Sequence, residues 1–99
     1  MHTINPVEAM RHLGEGDSET TLASLNGSNL KLTRFKGEFA RNGNGEADEL
    51  FYVVSGRLGL FFDDRAEVVE EGEFIVVAAG DDYRAVCNQE TCVVMIQAD

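Results

Sequence analysis

The side chains that could do chemistry in this chain are few and scattered, which narrows the reactions worth considering. Both histidines, His2 and His12, lie in the N-terminal segment, where a solvated imidazole is the ordinary expectation. Two cysteines, Cys87 and Cys92, flank the polar stretch Asn88-Gln89-Glu90-Thr91. If that stretch is a hairpin loop the thiols face one another, but in a chain with no visible secretory signal two cysteines are expected to be reduced core residues. With no His or further Cys nearby they do not read as a metal pair. Arg34 and Arg41 are candidate anion contacts at the mouth of a barrel; Arg34 shares a strand phase with Leu30 and Leu32, which aims it inward unless a bulge intervenes, whereas most arginines in such places snorkel outward. The run Asn42-Gly43-Asn44-Gly45 reads as a surface turn. Nothing resembles a phosphate-binding loop or a Ser-His-Asp nucleophile system.

The elements that must position these groups are legible from turn residues and periodicity. Asn5 is placed as an N-cap, Pro6 at the first helical position, Glu8 where a capping-box acid belongs and Gly14 just past the end. Val7, Met10 and Leu13 fall on one apolar stripe, so residues 1–16 are expected to carry one helix of about two turns. After Gly16, short apolar runs alternate with turn residues such as Asn26-Gly27, Ser55-Gly56, Asp63-Asp64, Glu71-Gly72 and Asn88-Gln89. This rhythm predicts short antiparallel strands near 20–25, 29–36, 49–54, 57–62, 66–70, 73–78, 83–87 and 92–97, in a sandwich or closed barrel. The strand at 49–54 is apolar in both phases, so something must cover its outer side, either the N-terminal helix or a second subunit.

At 99 residues, with 43% apolar and 26% charged residues, the chain fits one globular domain, residues 1–99. Eighteen acidic residues against eight basic ones give a formal charge of -10, which makes nucleic acid and anionic membrane surfaces poor partners. The longest apolar run, Phe74 to Ala79, is far too short to span a bilayer as a helix. The N-terminus has neither a basic region nor an apolar segment, so a cytoplasmic location is the default expectation.

Two stretches together resemble the paired motifs of the cupin superfamily, in a small single-domain form. The first runs from Gly37-Glu38-Phe39 through Asn42-Gly43-Asn44 to Asp48-Glu49-Leu50-Phe51-Tyr52-Val53-Val54-Ser55-Gly56. Cupins have there a glycine, His-x-His, a short spacer, Glu, and a glycine one strand later. Glu49 and Gly56 match, while Asn42 and Asn44 stand at the histidine positions. In the second, Gly72-Glu73-Phe74-Ile75-Val76-Val77 to Gly80, Gly72 and Gly80 match. Ala78 replaces a proline, Tyr83 the third histidine and Cys87 the final asparagine.

The resemblance implies an all-β fold, a small antiparallel β-barrel or jelly roll with one short N-terminal helix. It also implies that Glu49 projects into the barrel on the phase of Phe51 and Val53, with its charge met by hydrogen bonds. Asn42, Asn44 and Tyr83 would surround it. Neutral imidazoles are what hold transition metals in such sites, so their replacement implies a barrel with no metal and no cofactor. The leading expectation is a protein that binds a small polar molecule, a sugar or a carboxylate, with Asn42, Asn44, Glu49, Tyr83, Arg34 and Arg41 as contacts. The alternatives are a metal-independent isomerase, epimerase or lyase with Glu49 as general base and Tyr83 as proton donor, and a structural dimerisation module with a filled barrel. A homodimer is expected from the two-faced strand Leu50 to Val54 and from the tendency of cupins to pair.

Overall fold

In the computed structural model, residues 3–41 and 47–98 are described. The helix α1 spans Pro6–Arg11, and seven strands follow. Asn5 caps α1 as its residue type predicts, its side chain accepting hydrogen bonds from the Val7 and Glu8 amides. Glu8 does not close a capping box; it pairs with Arg11 instead, at 3.1 Å.

The strands are β1 (Ser18–Leu25), β2 (Ser28–Arg41), β3 (Glu49–Ser55), β4 (Arg57–Phe61), β5 (Ala66–Glu70), β6 (Phe74–Val77) and β7 (Tyr83–Ala98). All their pairings are antiparallel. Asn26 and Gly27 both take positive φ, 51° and 78°, which closes the β1–β2 hairpin with the backbone twist that two-residue loops favour.

Two long bent strands organise the molecule. The first half of β2 and the second half of β7 lie in one layer with β1, β3 and β6, in the order β1-β2-β7-β3-β6. The second half of β2 and the first half of β7 form the other layer with β4 and β5. The bend falls where Phe35 pairs with Thr91 and Gly37 with Cys87, leaving Asn88, Gln89 and Glu90 opposite Lys36 alone. The polar stretch expected to be a hairpin loop is therefore a corner within one continuous strand, and the two strands expected at 83–87 and 92–97 are halves of β7. A bulge lets a strand turn from one layer to the other without leaving the ladder.

The barrel interior is packed with Phe51, Val53, Leu58, Leu60, Val69, Val77, Tyr83, Ala85, Cys87 and Val93. A second cluster lies outside it, where Ala9, Met10 and Leu13 of the helical segment pack on Leu32, Tyr52, Val54, Cys92 and Val94. On the outer side of β3, Tyr52 and Val54 thus share a cluster with Ala9, Met10 and Leu13 of the helical segment. Cys87 and Cys92 belong to different clusters on opposite sides of the sheet and are free thiols. Burial pushes the Cys87 thiol pKa up, and a hydrogen bond with Thr91 partly opposes this.

Candidate functional site

Strand alternation delivers Glu49 to the barrel interior. It opens β3 in register with Val77, and from Glu49 the inward phase continues through Phe51 and Val53, both in the core. Tyr83 opens β7 from the other layer and is 4% exposed. The Phe51 ring meets the Tyr83 ring edge-on at 5.7 Å, and Phe62 leans on it at 6.4 Å. This packing aims the phenol at the carboxylate, and Tyr83 Oη donates to Glu49 Oε1 over 3.5 Å, a long contact. Residues 34 positions apart in sequence thereby form one carboxylate–phenol pair at one end of the barrel.

The neighbouring groups have structural tasks. Asp48 Oδ1 accepts from the Ala79 amide at 2.9 Å, tying the start of β3 to the turn before β7. Arg65 lies over the Phe62 ring at 4.2 Å and pairs with Asp64 and Glu67. Asn42 and Asn44 fall outside the described residues, as does the side chain of Arg41, whose backbone pairs with Tyr83.

Arg34 is not at the barrel mouth. Its phase with Leu30 and Leu32 was read correctly, but that phase points outward, because Leu32 belongs to the cluster beneath α1. Arg34 donates to the carbonyls of Met10 (3.0 Å), Leu13 (3.4 Å) and Gly14 (2.6 Å), and its Nε pairs with Glu90 at 3.2 Å. The guanidinium satisfies the C-terminal carbonyls of the helical segment and anchors it to the sheet. Its role is structural, not that of an anion contact.

Thr91, which sequence reasoning passed over, holds the corner of the barrel. It is fully buried, and its hydroxyl accepts from the Arg57 amide at 3.2 Å and lies within donor reach of the carbonyls of Arg57 (3.2 Å) and Gln89 (3.0 Å). No sequence signal marks it, since a Thr in a polar stretch reads as surface. Thr33 also buries its hydroxyl oxygen, with no hydrogen-bond partner among the described residues.

As a metal site the described residues do not fit. One carboxylate and a neutral phenol make a poor set for Zn²⁺, Ni²⁺ or Fe²⁺, and no group of three or more His, Cys, Asp or Glu side chains converges among the described residues. What the pair can do is accept and donate hydrogen bonds, or pass a proton, at an apolar-walled position.

Comparison with solved structures agrees with the jelly-roll architecture. A cupin-2 domain protein from Shewanella frigidimarina superposes with a TM-score of 0.87 at 25% identity, covering 97% of this chain and 94% of that one. A cupin superfamily protein from Desulfitobacterium hafniense gives 0.77 at 15% identity over 100% and 94% of the two chains. A protein from Salmonella typhimurium described as a putative ethanolamine utilization protein Q gives 0.70 at 13% identity, over 81% of this chain and 67% of that one. No protein-family model matches the sequence, and no curated protein does.

Proposed function

We propose that this chain, whose fold is similar to that of cupin superfamily proteins, binds a small neutral molecule rich in hydroxyl or amide groups, without a metal, at the barrel end where Glu49 and Tyr83 meet. The single observation that carries this reading is the carboxylate–phenol pair held at 3.5 Å against Phe51 and Phe62. A carboxylate accepts from hydroxyls and amides, a phenol donates and accepts, and apolar walls strengthen each bond by excluding water. Of the two ligand classes the sequence left open, a carboxylate is disfavoured. Arg34, one of the two cations that would have met it, is engaged with the helix, and the chain carries a charge of -10.

The same pair supports a second reading, proton transfer within a bound sugar or hydroxy ketone, with Glu49 accepting the proton and Tyr83 donating one. Both readings need the carboxylate. A thermal-shift screen of neutral monosaccharides and small amides against wild type and Glu49→Gln separates them from a purely structural barrel. The expected result is a hit that raises the wild-type melting temperature and loses its effect in the variant. Turnover of that hit, followed by proton exchange with deuterated water, favours the enzyme; a stable complex without exchange favours the binder. No hit in either protein sinks both.

A further inference from the structure

The outer face of the smaller layer carries a groove on the side of the sheet away from the barrel interior. Leu58, Leu60 and Val69 point into the core, so by alternation Arg57, Gly59 and Phe61 of β4 point out, together with the residues paired to them. The groove has a volume of about 560 Å³, within the range of small-molecule sites. Its floor is Gly59, flanked in register by Val68 on β5 and Val86 on β7. The Arg57–Glu70 ion pair, at 3.0 Å, closes one end, and Phe61, with Arg84 4.9 Å over its ring, closes the other. Asn88 and Gln89, at the corner of β7, add two side-chain amides that have no hydrogen-bond partner among the described residues.

Gly59 is the residue for which the fold gives no reason. A glycine inside a strand weakens it, and marks a bulge, a tight bend, or a close approach by another backbone or a ligand. β4 pairs with β5 from Arg57 to Phe61 and with β7 from Gly59 to Phe61, in both cases with no shift of register. Unlike Gly56, Gly59 does not take a positive φ. A Cβ there would stand 3.4 Å from the Val86 carbonyl oxygen and 3.5 Å from the Phe61 ring, both ordinary contacts. None of the intramolecular causes applies. What the missing side chain provides is the depth of the groove, between two valines whose Cα atoms lie about 10 Å apart across three strands.

We infer that this groove binds a neutral planar heterocycle with an amide-like edge, of the class of a free nucleobase or a pyridine carboxamide, lying on the bare backbone at Gly59. A flat ring suits a slot walled by Val68, 56% exposed, and Phe61, 41% exposed. The carboxamides of Asn88 and Gln89 each present a donor and an acceptor side by side, which an amide-like edge matches with two hydrogen bonds. The Arg57–Glu70 pair repeats that donor–acceptor arrangement with its charges already balanced, so a neutral ligand leaves it intact. The chain's charge of -10 weighs against phosphorylated forms of the same rings. Because Tyr83 points to the opposite side of the sheet, the groove is independent of the carboxylate–phenol pair.

The test is a titration of the full, ¹⁵N-labelled chain with nicotinamide, uracil and adenosine, each to about 10 mM, followed by amide chemical shifts. At least one probe is expected to shift the signals of residues 57–61, 66–70 and 86–89 saturably, and to do so equally in Glu49→Gln, where the barrel site is altered. Gly59→Val fills the slot and should weaken that binding at least tenfold. Gln89→Leu, which removes one rim amide without touching the ladder of β4, should weaken it about threefold or more. Gly59→Ala should melt no lower than wild type, since its Cβ meets only ordinary contacts. No saturable shift at these residues with any of the three probes overturns the inference, and so does binding that neither Gly59→Val nor Gln89→Leu weakens. A lowered melting temperature in Gly59→Ala overturns it too, because the strand itself then requires the glycine. Shifts of the same signals when the protein is concentrated without a probe would mean that a second copy fills the groove, which also sinks it.

Discussion

At the scale of single residues, Gly56 lies closer to its neighbours than Gly14, Gly16, Gly27, Gly37, Gly59 or Gly72 does, and the neighbour is Thr91. Gly56 has φ +98°, and a Cβ there would stand 2.5 Å from Thr91 Oγ1, 2.9 Å from Thr91 Cα and 3.0 Å from the Glu90 carbonyl oxygen. Backbone atoms cannot swing aside as a side-chain tip can, and the left-handed conformation adds strain of its own. Gly56→Ala should therefore destabilise the fold by about 2–4 kcal/mol, measured as a lowered urea midpoint with little change in slope. A shift below about 0.5 kcal/mol would mean that the corner yields and that the contact is not a constraint. The glycine itself was legible in the sequence as a motif position. Its physical reason was not, because the reason is a threonine 35 positions later that only the bend of β7 brings near.

At the scale of elements, local signals fixed what was local. Asn5-Pro6 started a helix and Asn26-Gly27 closed a hairpin because the conformations those residues favour are decided within a few bonds. Alternation along β2 separated two faces correctly but could not say which was inside, since apolar Leu30 and Leu32 lie on the outer face and Leu32 is covered there by α1. That ambiguity sent Arg34 to the wrong side. The polar corner of β7 was misread for a related reason: a bulge between layers and a hairpin loop use the same residue types. Glu49 and Tyr83 came together as the motif resemblance implied, whereas Thr91 and the helix-anchoring task of Arg34 depend on contacts distant in sequence. The anchor is testable. Arg34→Met leaves three carbonyls of the helical segment and Glu90 without their partner, which should cost about 1–3 kcal/mol and speed amide exchange in residues 9–13. Arg34→Lys should recover only part of the loss, because an ammonium cannot reproduce the guanidinium fork. Unaltered exchange in the Met variant would show that the helix is held by its apolar contacts alone.

At the scale of the whole molecule, the two layers are not independent units, because β2 and β7 each run through both. The β2–β7 ladder begins at Ser28 with Ala98 and ends at Arg41 with Tyr83, so closing it brings together segments far apart in the sequence. Neither layer can form its central pair without most of the chain in place, which makes folding slow for the size, on the order of milliseconds to seconds, and unfolding cooperative. The chain has no tryptophan and two tyrosines, which makes the cooperativity measurable. Tyr52 lies in the outer cluster under α1, on the larger layer, and Tyr83 lies in the barrel interior at the start of β7, on the smaller one. In Tyr83→Phe the fluorescence reports the helix-covered face, and in Tyr52→Phe it reports the barrel interior. Within each variant, at one fixed protein concentration, the urea midpoint from tyrosine fluorescence should coincide with that from far-UV circular dichroism. Each substitution changes absolute stability, so the comparison is between probes in the same protein, never between the two proteins. If the Tyr52 signal changed at clearly lower urea than the sheet signal, the helix and outer cluster would be peeling away before the barrel opened. If the Tyr83 signal changed first, the smaller layer would be opening while the larger one held, and the continuous strands would not be coupling the two.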